Sequence, residues 1–434
     1  MRTVAYFWMP ERSTLSSQWV ETAKQYLRKF PFYRILQRFR RSLSSTVIRR
    51  QHSHMPDCQY SIDGRPSSHL ARIQRIAGWY LPKHTEGHRL EARINGLRVA
   101  ELLKVYRHDV ADAFPDRPEA VRSGFIGDIV VPDDIQEGET ILLSLHAVSA
   151  SNEQTLFHEK LVVMPQDRSV IRTRNKSWGD IFLDPSTAEP LSLEGLQSRT
   201  TFRGSRFPVI EGVPHFLPTG LLPLIRLTET GTTHPYSDAA KHIISSCSGL
   251  ILDLGAGIQT PDRLRENLLN LDGVQFPYVD VVNRCKTLPF RSNVFDAVIS
   301  QAVFEHLSDP FGMAREIYRV LKPNGHVLID TAFMQPYHGD PDHYFNMTQA
   351  GLREVMQGFL IDDIGVRPYQ NPSYGLRMQI ETVLPFMRSY KWSSMFQKFL
   401  VELQRDGNGL DEALGMVGRE ILAAGVYVLA RKPG

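Results

Sequence analysis

The chain has 434 residues, 42% hydrophobic and 22% charged, an ordinary soluble globular composition and enough length for about three domains. A formal net charge of +3 is too small to argue for a nucleic-acid partner, and no stretch approaches the ~18 apolar residues of a membrane span. Cys58, Cys247 and Cys285 are too few and too scattered for a disulfide framework or a cysteine zinc site, so a reducing cytoplasm is the expected compartment.

Residues 1–67 read as a basic N-terminal arm. Aromatic Trp19, Tyr26, Phe30, Phe32 and Tyr33 lie among Arg28, Lys29, Arg34, Arg38 and Arg40, without the charge, apolar core and cleavage-site order of a signal peptide. A basic amphipathic helix of this kind suits peripheral contact with the inner face of an anionic membrane, although Pro31 interrupts it. A partly ordered arm is the plainer reading. Residues 68–164 read as all-β: apolar runs such as Ile129-Val130-Val131 and Ile141-Leu142-Leu143 lie between the turn signals Asn95-Gly96 and Glu137-Gly138. Their spacing predicts a small sandwich. Residues 165–234 read as a linker with a short β-fold near 207–217.

From residue 235 to 434 strands and helices alternate, which predicts a parallel sheet with helices on both faces. Gly249 to Gly257 form a buried strand over 249–254 that runs into a glycine-rich turn. Glycines there let the backbone turn tightly and approach a ligand that a Cβ would push away. Asp253 precedes the first glycine by two residues, and Thr260 stands where a dinucleotide loop carries its third glycine. The carboxylate disfavours a pyrophosphate and suits a ligand with a cationic amino-acid group, such as S-adenosylmethionine. A nicotinamide oxidoreductase is the weaker reading for the same reasons. A second strand, 268–272, ends on Asp272, 17 residues after Gly255 and near the ~20 expected of a ribose-binding acid; Asp280 is a rival.

Phe295 to Ser300 read as the fourth strand, with Gln301 and Ala302 at its carboxyl end, where open α/β sheets bind ligands. Asp309 is the expected N-cap and Pro310 the first residue of a helix whose Phe311, Ala314, Ile317, Tyr318 and Leu321 should face the sheet. Strands at 326–330 and 424–430 complete the expected order. Between them lies the loop Gln335 to Phe345, where an acceptor should sit. Removing a hydroxyl proton there needs a general base, and His338 and His343 are the candidates, oriented by Asp340 or Asp342. Loop histidines that merely bond backbone carbonyls are an equally good reading. His306 is a further candidate, with packing under the cleft as its plain alternative. Two histidines and two aspartates could also ligate a metal, but no helical spacing supports it, and no metal is expected.

Leu288-Pro289-Phe290, Phe295-Asp296-Ala297-Val298, Glu305-His306 and Arg319 to Gly325, together with the glycine loop, resemble the "type 11" branch of the class I S-adenosylmethionine-dependent methyltransferases. The resemblance covers roughly 200 residues. It implies an α/β, Rossmann-like, doubly wound, mostly parallel seven-stranded sheet. It also implies S-adenosylmethionine as cofactor, with Asp253, Gly255, Ala256 and Gly257 bordering its methionine part, Asp272 at the ribose, and Gln301 and Ala302 lining the cleft. Relatives usually place an acid before Leu-Pro-Phe for the adenine amino group. Here Arg284 takes that slot, and an arginine has only donors, so Asn283 is the expected substitute. An inactive, scaffolding descendant is the alternative this departure raises.

Ala77 to Leu81, Ile94-Asn95-Gly96, Tyr106 to Pro115 and Ser123-Gly124-Phe125 resemble an immunoglobulin-like module that accompanies bacterial surface-glycan enzymes. It implies a binding or spacing role and a sugar or glycan-related acceptor. Phe207 to Leu217 resembles the end of a small zinc-ribbon domain that has lost its cysteines. The expected activity is O-methylation of a small-molecule or glycan acceptor.

Overall fold

A computed structural model describes residues 59–434 except 64, 83–87, 115, 151, 166–177, 179, 192–206, 231–232, 340–341 and 388–389. The basic arm up to residue 58, parts of the linker and Asp340 therefore lie outside the described residues. No helix among the described residues is long and apolar enough to cross a membrane.

The first region is all-β. Strands β1 (Gln59–Asp63), β2 (His69–Leu70), β3 (Ile73–Leu81), β4 (His88–Ile94), β5 (Leu97–Val105), β6 (Gly124–Val130), β7 (Thr140–Ser149) and β8 (Glu153–Val163) join in the order β1-β3-β6-β5-β4-β7-β8-β2. Asn95 (φ 50°) and Gly96 (φ 80°) make the two-residue β4–β5 turn that their sequence promises. The expected two-sheet sandwich is one connected, curled sheet. The first part of β5 pairs with β4, while Leu103 to Val105 pair with β6, so this strand bends from one layer into the other. Both layers close on one core that includes Leu90, Phe125, Leu143 and Phe157. Strand β1 belongs to this sheet although its residues fall in the stretch read as the arm. A short helix, α1 (His108–Ala113), follows β5.

A small hairpin, β9 (Phe182–Leu183) and β10 (Pro190–Leu191), precedes a second one, β11 (Val209–Ile210) and β12 (Val213–Phe216). Neither stands apart as a module. Phe182, Phe207 and Phe216 are buried in the core of the C-terminal region, and β12 pairs in parallel with its sheet. That sheet also contains β13 (Ile251–Leu254), β14 (Leu268–Asp272), β15 (Val281–Asn283), β16 (Phe295–Gln301), β17 (Leu321–Ala332), β18 (Leu360–Gly365) and β19 (Gly425–Arg431). Its nine strands run β11-β12-β15-β14-β13-β16-β17-β19-β18. The expectation of seven strands is corrected by the β11–β12 hairpin, which extends the β15 edge. From β12 to β17 neighbours are parallel; β19 is antiparallel to both β17 and β18.

Helix α2 (Asp238–Ser246) precedes β13, α3 (Pro310–Val320) links β16 to β17, and α4 (Gln349–Val355) leads to β18. Helices α5 (Pro372–Val383), α6 (Ser393–Ala413) and α7 (Gly415–Ile421) fill the connection to β19. The expected even alternation fails between β13 and β16, where no α-helix forms. The first of these crossovers has only a 3₁₀ turn at Pro261–Arg263. Its residues, Pro261-Asp262-Arg263-Leu264-Arg265-Glu266-Asn267, carry no apolar stripe for a helix to bury. Helix α3 forms as read: the Asp309 side chain accepts from Gly312 N at 2.8 Å, and Ala314 and Ile317 are buried. Phe311 is not; it is 48% exposed, and Met313 and Val320 take the core positions instead.

A backbone seam joins the two sheets. Residues 223–226 run between them, with Glu101 N donating to Pro223 O (3.1 Å) and Asp128 N to Ile225 O (2.8 Å) on one side. On the other side Gln275 N donates to Leu224 O (2.8 Å) and Arg226 N to Gln275 O (2.9 Å). Asp128, fully buried, accepts from Thr228 N at 2.7 Å and from Thr228 Oγ1 at 2.8 Å. Backbone groups of both sheets are thereby paired with this segment.

Candidate active site

The glycine turn folds over the end of β14. Gly255 N and Ala256 N both donate to Leu271 O, at 2.8 and 3.0 Å. Gly257 N donates to Asp272 Oδ2 at 2.8 Å, and Val274 N to Asp272 Oδ1 at 2.9 Å. Gly255 (φ 81°) and Gly257 (φ 60°) are left-handed, which favours glycine. A Cβ at Gly255 would strike the Val303 side chain, and one at Gly257 the Thr233 side chain. These glycines are thus required by packing within the chain, and not only by close approach to a ligand. The loop runs into a 3₁₀ turn and not into an α-helix, so the helix that usually follows such a loop and cradles a pyrophosphate is missing.

Three carboxyl groups stand at the carboxyl ends of β13, β14 and β17: Asp253, Asp272 and Asp330. Asp253 is 3% exposed and accepts from Tyr236 Oη at 2.5 Å. Burial, reinforced by the charge of Asp272, pushes it up to about 7 despite the opposing hydrogen bond from Tyr236 and the charge of Arg263. Asp330 Oδ2 accepts from Gln301 Nε2 (2.6 Å) and Tyr369 Oη (2.7 Å), and burial raises this carboxyl to about 6. Its buried Oδ1 has no hydrogen-bond partner among the described residues. Such an orphaned acceptor fits a ligand that brings a donor. Gln301 also accepts from Ser237 N at 3.2 Å, and Ala302 is held at φ 56°, an uncommon strain for a residue with a Cβ. Asp280, the rival acid, is buried and bonds Asn270 N at 2.8 Å, tying the loop before β15 to β14.

Asn283 ends β15 and folds onto its own turn: its Oδ1 accepts from Cys285 N (3.3 Å) and its Nδ2 donates to Cys285 O (3.2 Å). Arg284 turns toward the seam, donating to Leu222 O (3.0 Å) and facing Glu101 Oε2 on β5 (3.4 Å). The donor-only side chain expected to disturb an adenine site is a tie between the two sheets.

At the loop after β17 the three candidate histidines meet. Ring centroids are 5.3 Å apart for His306–His338, 4.4 Å for His338–His343 and 5.8 Å for His306–His343. Their hydrogen bonds differ. His338 Nδ1 lies 2.8 Å from Pro336 O, and His306 Nδ1 2.7 Å from Asp342 O. A carbonyl only accepts, so both Nδ1 atoms carry a proton. Burial lowers the pKa of the His338 imidazole from its usual value. His343 has both nitrogens engaged: Nε2 with Phe345 O and Asn346 Oδ1, Nδ1 with His338 N. The Asp342 carboxyl accepts from Tyr337 and Tyr344 hydroxyls (3.4 and 3.3 Å), not from a histidine ring; only its backbone carbonyl orients His306.

Glu305, absent from the sequence candidates, lies at the centre. It is 1% exposed, its Oε2 accepts from Thr331 Oγ1 at 2.9 Å, and its Oε1 faces His338 Nε2 at 4.0 Å. Its backbone carbonyl accepts from Tyr344 N and Phe345 N, pinning the loop. Its position directly before His306, at the mouth of β16, was the available signal. The first sheet supplies the facing wall. The Arg122 guanidinium sits 4.9 Å from the Tyr337 ring centroid, and its charge acts on the Tyr106 hydroxyl. Burial lowers the Lys104 ammonium while the nearby Asp342 charge opposes it.

Residues 261–329 match a family described as a methyltransferase domain, which spans Asp272, Asn283, Gln301, Ala302, Glu305 and His306. Among curated proteins, no match is found. Similar solved structures include the cyclase SpnF, at 19% identity over 44% of this chain and 77% of that one, with a TM-score of 0.28. Another is a phosphoethanolamine N-methyltransferase 2 from Haemonchus contortus in complex with S-adenosylmethionine. It is 20% identical over 43% of this chain and 49% of that one, with a TM-score of 0.27, so the chain spans about half its length. A third is an S-adenosylmethionine-dependent methyltransferase from Mesorhizobium loti, at 14% identity over 42% of this chain and 90% of that one, with a TM-score of 0.26.

Proposed function

We propose that the methyltransferase domain of this chain moves a methyl group from S-adenosylmethionine to a hydroxyl of a sugar or glycan-related acceptor. The observation that carries the cofactor reading is the set of acids at the carboxyl edge of the sheet: Asp253, Asp272 and Asp330, the last with an orphaned buried oxygen. That edge repels a pyrophosphate and suits a cation. When bound, S-adenosylmethionine supplies an electrophilic methyl group on a positive sulfonium. Asp253 and Asp330 would hold its cationic groups and Asp272 its ribose hydroxyls, with Ala256, Gln301 and Ala302 as the cleft walls and Asn283 toward the base.

The acceptor lies between the histidine loop and the first sheet. Tyr106, Tyr337 and Tyr344 are 40%, 44% and 50% exposed there, and each presents an apolar ring with a polar tip, a surface suited to sugars. Lys104 and Arg122 add positive charge for an acceptor that carries an acidic group. The imidazoles of His306 and His338, with the carboxyl of Glu305 beside them, activate the hydroxyl. His343 and Asp342 serve to shape the loop rather than to take a proton.

The test compares turnover and cofactor affinity. His338→Ala should lower methyl transfer by about 10²–10⁴-fold with S-adenosylmethionine affinity within twofold, and His343→Ala should cost much less. Equal losses in both variants would return the base to the loop as a whole. A non-catalytic, scaffolding role is the second reading. It is favoured by the packing of Val303 and Thr233 over the glycine loop and by the Tyr236 bond to Asp253. That reading requires that S-adenosylmethionine not bind.

A further inference from the structure

We propose that Glu305, His306 and His338 form a site for a divalent first-row transition-metal ion at the acceptor mouth. One ligand atom from each of the three lies within 4.8 Å of the others. His306 and His338 each have Nδ1 against a backbone carbonyl, and His338 Nε2 is turned toward Glu305. Glu305 accepts from the Thr331 hydroxyl with Oε2 and faces His338 Nε2 with Oε1 at 4.0 Å. A buried carboxylate and two imidazoles brought this close are satisfied together by a cation.

The outer contacts have the form metal sites use. A ligating histidine normally donates its other nitrogen to a carbonyl or carboxylate, and a ligating carboxylate is itself hydrogen-bonded. Here Pro336 O, Asp342 O and Thr331 Oγ1 hold those places. Two imidazoles and one carboxylate suit zinc and its first-row neighbours better than magnesium, and they leave a coordination position open for an exchangeable oxygen. Ligand distances of about 2.1 Å need the three side chains to close inward by roughly an ångström, within reach of small side-chain rotations. His343 cannot join, since both its nitrogens are engaged.

This deepens the acceptor reading, on which its chemical role rests, and has the two imidazoles act through the ion instead of taking the hydroxyl proton themselves. An acceptor hydroxyl in the open position would have its pKa lowered by the ion, and its proton would pass to solvent, leaving a metal-bound alkoxide as the nucleophile. The ion binding itself is independent of that role.

The experiment titrates the full chain, stripped with chelator, with ZnCl₂ by calorimetry and with CoCl₂ by visible absorption. One ion per chain is expected, with Co²⁺ bands of a low-coordinate nitrogen–oxygen site. His338→Ala and Glu305→Gln should weaken binding at least tenfold. Thr331→Val, which keeps the shape but removes the hydroxyl on Glu305, should weaken it about 10–100-fold. His242→Ala, on exposed α2, should not change it. Thermal melting reports whether each variant folds. No stoichiometric ion in the wild type, or an ion that survives both His338→Ala and Glu305→Gln, overturns the site. If no ion binds yet His338→Ala still removes methyl transfer, the metal is rejected and imidazole acts alone. If an ion binds but S-adenosylmethionine does not, the metal site stands and the methyltransferase reading falls.

Discussion

Asp253 couples the acidic edge of the sheet to pH. Its folded pKa of about 7 lies above its ordinary 3.8, so the folded state holds this proton more tightly than the unfolded chain. The stability it contributes is complete below about pH 4 and is lost as pH rises through about 7; Asp330, raised to about 6, adds the same sign. His215, fully buried and lowered to about 4, acts oppositely by costing stability as pH falls below 6.5. The difference between wild type and Asp253→Asn isolates the first effect: the variant should gain melting temperature relative to wild type at pH 8 and lose that gain at pH 5. A cation on Asp253 needs the ionised form, so S-adenosylmethionine affinity should rise about tenfold from pH 6 to 8, and less in Asp253→Asn. A flat profile would remove Asp253 from the binding edge. Gly255→Ala tests a second residue. With φ 81° and Val303 in the way, the substitution should destabilise the fold by at least about 1–2 kcal/mol, seen as a lower melting temperature. An unchanged melting curve would show that the loop relaxes and that the glycine serves the ligand alone.

At the scale of elements, local signals carried far. Strand β14, helix α3 with its Asp309 cap and the last strand lie where apolar runs, a capping aspartate and Pro310 put them, because each is dictated by neighbours within a few residues. What stayed hidden depends on partners distant in the chain. Nothing near residue 209 announces that β11 and β12 will extend the main sheet, since β12 pairs with residues 282–283. Arg284 reads as a flaw in a cofactor site because its partner, Glu101, lies 183 residues away. Glu305 passed as half of a family motif, because its burial against Thr331 and His338 exists only once β16, β17 and the loop meet. The histidines were legible as a set; which nitrogen each keeps free was not. Arg284→Ala follows from this: S-adenosylmethionine affinity should stay within about twofold, while the melting temperature falls through loss of the tie to Glu101. A tenfold loss of affinity with an unchanged melting curve would place Arg284 back in the cleft.

At the scale of the molecule, the two sheets act as one frame. The seam at residues 223–226 satisfies backbone groups on both sides, so the first sheet is positioned by main-chain bonds as well as by side chains. That fixes Lys104, Tyr106 and Arg122 opposite the histidine loop, and His108 packs on Phe386 at 5.4 Å between ring centroids. One open edge of the α/β sheet is lined by Asp253, Asp272 and Asp330, the edge proposed to hold the cofactor; the adjoining mouth, walled by the first sheet, is the place proposed for the acceptor. The edge is acidic where a dinucleotide would need positive charge and a helix N-terminus. The most direct measurement is calorimetric titration of the full chain at pH 8 with S-adenosylmethionine and, separately, with NAD⁺. The account predicts one S-adenosylmethionine per chain, bound at least tenfold more weakly in Asp253→Asn, and no NAD⁺. Binding of NAD⁺ in preference, or of neither ligand, would contradict it.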